Sequence, residues 1–265
     1  MNISDAIISA SQELKNNSNS EAAFNGIKEL SENAFKNLLA SMFPLHIGFE
    51  NNIEKNLEKA AIDLKTVLLR VLNNPDNAEK FTSDLILKLP EIKRILWTDI
   101  LAAYQGDPAA KSLDEIILAY PAFTAISAYR VAHELFLMEI PLIPRIITEY
   151  AHRLTGTDIH PGAKIGDYFF IDHATGVVIG ETSTIGNHVK IYQNVTIGAK
   201  SFKVAPDGSL VKGIKRHPDI GNEVIIYAGA TILGGDTVIG DKCVIGGNVW
   251  LTHSVEPGQI IQNEQ

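Results

Sequence analysis

The chain has 265 residues, 45% of them apolar and 20% charged, and a formal net charge of −8; these are the proportions of a soluble globular protein, not a disordered one. The acidic balance argues against general nucleic-acid binding, which needs a basic face to displace counterions, and no apolar run approaches the ~20 residues of a membrane span. The N-terminus carries an early acid and no continuous apolar core, so it does not read as a secretory signal, and a lone Cys243 forbids an intramolecular disulfide and points to a reducing cytoplasm, where the sequons at Asn16 and Asn194 mean little.

The length allows one large domain or two modest ones, and the chain changes character near Gly156. Before it, apolar residues recur at helical spacing, as in Ile53, Leu57, Ala60, Ala61, Leu64, Val67, Leu68 and Val71. Turn signals such as Asn73-Asn74-Pro75 and Gly106-Asp107-Pro108 separate the stretches. The predicted helices span residues 3–15, 21–41, 50–73, 77–88, 90–104, 109–119, 121–138 and 143–153, within a helical domain over 1–155.

After Gly156 an aliphatic residue returns every six positions. Ile159, Ile165 and Ile171 form one run, and Ile179, Ile185, Ile191 and Ile197 a second. Ile220, Ile226 and Ile232 follow, then Ile239, Ile245 and Leu251. A glycine often comes next, and the residue two before is small or β-branched, Cys243 among them. Six residues advance an α-helix by about 600°, which would scatter these residues over several faces. A hexapeptide coil accommodates them: each repeat is a short strand and a corner, three repeats close a triangular turn, and stacked turns bury a continuous core. The predicted class is α+β, an N-terminal helical domain followed by a left-handed parallel β-helix over 156–258, with a short tail at 259–265. Residues 199–219 break the repeat as an extruded loop with a tight turn at 205–208. The loop carries Lys200, Lys203, Lys212, Lys215 and Arg216 against Asp207 and Asp219, a candidate anion site on an acidic protein.

The fold does not settle function, because hexapeptide coils host acyltransferases, zinc enzymes and sugar-nucleotide transferases. His173 lies where the repeat slips, in a bend closed by Gly176. Asp158 precedes it by fifteen residues, near the length of one coil, where a carboxylate could orient the imidazole and stabilise its protonated form. A hydroxyl needs such a base to attack a thioester, an assistance typically worth about 10²–10⁴-fold. His160 and His217 stand in similarly irregular surroundings.

The runs Asp158-Ile159-His160-Pro161-Gly162-Ala163-Lys164-Ile165-Gly166 and Asp172-His173-Ala174-Thr175-Gly176-Val177-Val178-Ile179-Gly180-Glu181-Thr182 resemble the signature of bacterial and plant serine acetyltransferases. Arg216-His217-Pro218, Ile232-Leu233-Gly234, Asp107-Pro108-Ala109 and Tyr120-Pro121-Ala122-Phe123 resemble further motifs of that family, and the likeness covers roughly residues 98–258. It implies transfer of acetyl from acetyl-CoA to the L-serine hydroxyl, the first step of cysteine biosynthesis, without a metal. It implies His173 as the base with Asp158 as its partner, Asp107 and Asp172 on the serine ammonium, and Arg216 and His217 on the carboxylate. The Ala199 N–H would face the oxyanion, and Gly198, Ala199, Lys200 and Lys215 would contact the CoA. It further implies trimers or dimers of trimers, a site built from two subunits, and L-cysteine competing with serine.

Three departures accompany the likeness. Asn194 stands where a small residue is expected, the loop before Arg216 is longer than the common form, and the chain ends at Gln265 without the tail that docks into the partner sulfhydrylase. The resemblance therefore does not carry that complex to this sequence. Three other readings compete: a zinc carbonic anhydrase drawing on His160, His173, His188 and His217, an acyltransferase for a sugar or antibiotic hydroxyl, and a non-enzymatic subunit. A zwitterionic acceptor needs both Asp107 and Arg216, whereas a sugar needs neither.

Overall fold

The structure, a computed structural model, describes residue 7, residues 26–44 and residues 52–263; the helix expected over 3–15 lies outside the described residues apart from residue 7. Six helices lead the described chain: α1 (Ile27–Met42), α2 (Ile53–Leu72), α3 (Pro75–Gly106), α4 (Leu113–Ala119), α5 (Pro121–Leu137) and α6 (Ile143–Thr155). The local sequence explains their ends. Asn52, Asn74 and Ser112 accept the N–H three residues on, from Lys55, Asn77 and Glu115, and so cap α2, α3 and α4. Asn73 and Gly156 terminate α2 and α6 in the left-handed region.

Two helices expected at 77–88 and 90–104 are one. Pro90 removes an intrahelical hydrogen bond, at a cost of about 3 kcal/mol, yet α3 continues through it. Leu85, Leu89, Ile92, Leu96 and Ile100 form one buried stripe on either side of the proline, and burying each contributes about 1.5–3 kcal/mol. Packing outweighs the break. The helix expected at 109–119 is shorter, because Ser112 caps it at Leu113.

Fourteen short parallel strands follow, β1 (Asp158–Ile159) through β14 (Ile260–Ile261). Pairing runs between strands three apart as far as β13, and β14 pairs with β12, giving sheets ordered β1-β4-β7-β10-β13, β2-β5-β8-β11 and β3-β6-β9-β12-β14. This is the triangular left-handed β-helix, its aliphatic positions stacked in register: Ile159 over Ile179 over Ile197 over Ile232 over Leu251, all buried. The coil runs past the boundary expected at 258, because Ile260 and Ile261 pair with Val244 and Ile245 of β12. The corner between the second and third sheets carries a polar ladder in which Asn187, Asn222 and Asp241 each accept a backbone N–H from the coil below. Cβ atoms at Gly186 or Gly221 would strike it. At Asn194 the backbone is left-handed (φ 59°), a region that Asn enters more readily than most non-glycine residues, and the strands on either side, β6 and β7, stay paired in register. Loop 199–219 folds back on itself through an antiparallel bridge between Val204 and Leu210.

The helices close the open first coil. Tyr129 Oη donates to the Ala163 carbonyl and accepts from the Ile165 N–H. Arg130 donates to the carbonyls of Ile165 and Gly166 and to both oxygens of Asp99, which in turn accepts from the Phe169 N–H. Backbone groups that would face nothing at the end of a solenoid are thereby satisfied, and α3 is fixed with its C-terminus, Gly106, against Phe170.

Candidate active site

Two adjacent corners of the prism hold the sequence-predicted residues. The first joins the third sheet to the first, and there the repeat slips. His173 and Ala174 both take left-handed backbone, φ 61° and 50°, which costs about 1–2 kcal/mol per residue. The bend is held by Thr157 Oγ1 donating to the Ala174 carbonyl and by Gly176 N–H donating to Gly156. Its consequence is to aim the His173 imidazole outward, with 68% of the side chain exposed and Nε2 3.7 Å from Asp172 Oδ1.

Asp107 arrives at this corner from the last turn of α3. Its Oδ1 accepts from the Ala109 N–H at 2.8 Å and its Oδ2 from Tyr120 Oη at 2.5 Å. The Tyr120 hydroxyl, then the Ala109 amide, with the charges of Lys190 and His173 behind them, hold its carboxyl below the usual range. Lys190 of β6 (Lys190–Ile191) lies 3.5 Å from Asp172 Oδ2. The result is an acidic recess, two carboxylates and one lysine, beside an accessible base.

Asp158, the expected partner of His173, is bonded instead to Arg145. It opens β1 on the outer face of the first sheet, and its Oδ1 accepts from Arg145 of α6 at 3.1 Å. Among the described residues no contact links it to His173, and its Oδ2 has no hydrogen-bond partner. The fifteen-residue spacing brings it near the same edge, but α6, which spacing within the coil could not reveal, supplies a competing cation. Glu149, His152 and Asp158 offer ligand atoms within 4.8 Å of one another, yet Arg145 bonds both acids and fills the role a metal would have.

The second corner joins the first sheet to the second. Here Thr182 organises the end of the long loop: its Oγ1 accepts from the N–H groups of Arg216 and His217, and its own N–H donates to His217 Nδ1 at 3.0 Å. With Nδ1 an acceptor, the His217 proton sits on Nε2. Burial, then the charge of Arg216, push its pKa down to about 4, so His217 is a neutral donor at physiological pH. A Cβ at Gly180 would land inside its ring, so glycine is required there for the imidazole to lie flat on the coil. Arg216 Nη2 donates to Glu181 Oε2 at 2.5 Å. Burial raises the Glu181 carboxyl, but that bond and the charges of His160 and Arg216 outweigh it and hold the carboxyl low. His160 accepts the Gly162 N–H at Nδ1, and burial lowers its pKa.

Ala199 follows β7 (Thr196–Gly198) at this corner, and among the described residues its N–H has no acceptor, while the Gly198 carbonyl accepts from Gly234. Lys200, Lys203, Lys215 and Arg216 line a neighbouring cleft of about 360 Å³ with Asp236 as the only acid. Lys215 also bonds the Thr182 carbonyl and Asp219.

The structure therefore brings His173, Asp172 and Asp107 together, and separately Arg216, His217, Ala199, Lys200 and Lys215. The strand β4 (Val178–Ile179) separates the two corners. Tyr120, Glu181, Thr182, Arg145 and Lys190 escaped the sequence reading. Glu181-Thr182 and Tyr120 lay within quoted motifs without a role, and Lys190 carried no signal beyond its place before an interior isoleucine.

No family model matches the chain. It is 56% identical over 189 residues to a plasmid-encoded serine acetyltransferase of Synechococcus elongatus, a match covering 71% of this chain and 59% of that relative, so it spans less than two thirds of the relative's length. Among solved structures it is similar to serine acetyltransferase isoform 3 of Entamoeba histolytica in complex with cysteine, at TM-score 0.78 and 38% identity over 88% of this chain and 82% of that one. It is also similar to a serine acetyltransferase in complex with CoA, at TM-score 0.60 and 26% identity over 86% and 94%. With the hexapeptide coil, the slipped corner bearing Asp172-His173 and the loop ending in Arg216-His217 all in place, this chain belongs to the serine acetyltransferase family.

Proposed function

We propose that the protein transfers the acetyl group of acetyl-CoA to the hydroxyl of L-serine, and that each site is completed by a second copy of the chain. The observation that carries the reading is the division of opposite chemistries between two corners, acids around an imidazole at one and Arg216 with neutral, Nε2-protonated His217 at the other. A cyclic assembly sets one corner of a protomer against the other corner of its neighbour, which joins the halves. Serine is a zwitterion, and the joined halves grip both ends: Asp107 and Asp172 the ammonium, Arg216 and His217 the carboxylate.

His173 then takes the proton of the serine hydroxyl as its oxygen attacks the thioester carbonyl carbon. Asp158, with Oδ2 free, is the acid this reading assigns to stabilise the imidazolium. The Ala199 N–H meets the oxyanion of the tetrahedral intermediate. The carbon–sulfur bond breaks, the CoA sulfur takes the proton back from His173, and O-acetylserine and CoA leave. The cleft of Lys200, Lys203, Lys215 and Arg216 supplies cations for CoA phosphates. L-cysteine, the same zwitterion with a thiol for the hydroxyl, fits the same subsite and would compete there. The buried, unpaired Cys243 agrees with a cytoplasmic location, and the helical half is assigned to further assembly of trimers.

A thiol-release assay with acetyl-CoA tests the assignment. L-serine should support turnover and L-homoserine or a galactoside far less, and His173→Ala should remove it while leaving the oligomer intact. Turnover with the galactoside but not serine, or a His173→Ala variant near the parental rate, contradicts it.

A further inference from the structure

Lys190 belongs to no motif quoted above, yet it bonds the carbonyl of Gly106, the residue before Asp107, and lies beside the Asp172 carboxylate. Its side chain is 19% exposed, and Nζ donates to the Gly106 carbonyl at 2.7 Å while lying 3.5 Å from Asp172 Oδ2. The rings of Tyr192 and Phe170 flank it at 4.5 and 5.1 Å from their centroids. Gly106 ends α3, and its carbonyl is one of those the helix leaves unpaired at its negative end, where an ammonium is favoured. The approach is close: a Cβ at Gly106 would stand 2.9 Å from Phe170. The next residue is Asp107.

We infer that Lys190 is a positioning residue for the ammonium subsite, tying the Asp107 turn of the helical half to Asp172 of the coil so that both carboxylates stay aimed at one substrate ammonium. The inference rests on the acceptor being an amino acid, as proposed above. Two carboxylates facing one recess repel, and without a cation between them one turns away. With Lys190 the empty recess carries a net charge of about −1, which one ammonium neutralises. The Asp107 turn has few other ties to the coil at this point: its carboxylate is spent on Ala109 and Tyr120, both within its own helical segment. The Arg130–Asp99 joint and the Phe170 contact place α3 as a whole, and the Gly106–Lys190 bond ties its last turn to Asp172. Aromatic flanks and burial restrict the lysine chain, so the tether is formed before substrate arrives, and that pre-organisation is what the substrate would otherwise have to supply.

A lysine acting only on the ammonium end has a particular kinetic signature. In Lys190→Met the KM for L-serine should rise about 10-fold or more, while kcat at saturating serine falls by less than about 3-fold and the KM for acetyl-CoA is unchanged. Inhibition by 3-hydroxypropanoate, which keeps the carboxylate and hydroxyl but lacks the ammonium, should be unaltered. Lys190→Arg, retaining the charge, should recover most of the serine KM. A merely structural lysine would move the acetyl-CoA KM, the 3-hydroxypropanoate inhibition constant and the thermal midpoint together, and that outcome overturns the inference, as does an unchanged serine KM in Lys190→Met. The parental chain is the control for the reading beneath it: absence of serine-dependent CoA release there removes both, whereas parental turnover with an indifferent Lys190→Met removes only the lysine's role.

Discussion

Replacing Arg130 by methionine should destabilise the joint between the helices and the coil by about 3–5 kcal/mol. The Arg130 and Asp99 side chains are 7% and 3% exposed. The variant strips Asp99 of its guanidinium partner, leaving the Phe169 N–H, and takes the donor from the carbonyls of Ile165 and Gly166. Each buried acceptor left unpaired costs about 1–3 kcal/mol. Burial already pushes the Asp99 carboxyl up to about 6 against the pull of Arg130. Without that pull it takes a proton near neutral pH, which limits the remaining penalty. At about 2–4 °C per kcal/mol for a chain of this size, the thermal midpoint should fall by roughly 6–20 °C. The KM for serine should rise in parallel, because the same joint fixes α3 and hence Asp107. Asp99→Leu/Arg130→Met, which removes the whole ion pair, should recover part of the loss, since a buried pair replaced on both sides is far less costly than one broken from one side. Scanning calorimetry of the three proteins decides it. A single variant within about 2 °C of the parent, or a double variant no better than the single, refutes the reasoning.

His217 gives a pH prediction. Its pKa falls from 6.5 in the free side chain to about 4 in the fold, so the unfolded chain binds the extra proton between those values. Its contribution to stability is complete above pH 6.5 and disappears as pH falls toward 4, a change on the order of 3 kcal/mol. The thermal midpoint of His217→Asn, whose amide oxygen can still accept from Thr182, should depend less steeply on pH over that window; an identical pH slope counts against the assignment. Gly180→Ala should displace the His217 ring that occupies the space of its Cβ and lower kcat/KM for serine by about 100-fold, as expected of a displaced binding group, with the KM for acetyl-CoA little changed. A parental kcat/KM in that variant would mean the imidazole does not bind the carboxylate.

The coil was legible because its code is local. An aliphatic residue every six positions from Ile159 to Leu251 admits few backbone solutions, and the loop announced itself by breaking the period. The helical boundaries near Pro90 and at Leu113 were less legible, since a distant packing stripe decided the first and the Ser112 cap the second. For the site, the motifs brought Asp172, His173, Arg216 and His217 into view but not their arrangement. Asp158 is the plainest case: its distance from His173 along the coil was readable, whereas the Arg145 guanidinium that bonds it comes from α6, outside the repeat. Lys190 was invisible for the same reason, as it acquires meaning from its bond to Gly106 across the helix–coil joint, and Tyr120, quoted only as part of a motif, from its bond to Asp107 within the helical half; no periodicity encodes either contact.

The central claim is that neither corner of one chain suffices. Co-expressing His173→Ala chains with Arg216→Ala chains tests it directly. In a cyclic assembly formed at random from equal amounts, a site is intact only where an Arg216→Ala chain donates His173 and an adjacent His173→Ala chain donates Arg216, so about one quarter of the sites should work. Serine-dependent CoA release near 25% of the parental rate, from two chains each inactive alone, is the outcome expected. Mixed assemblies that remain as inactive as either variant would place the whole site within one chain and contradict the account.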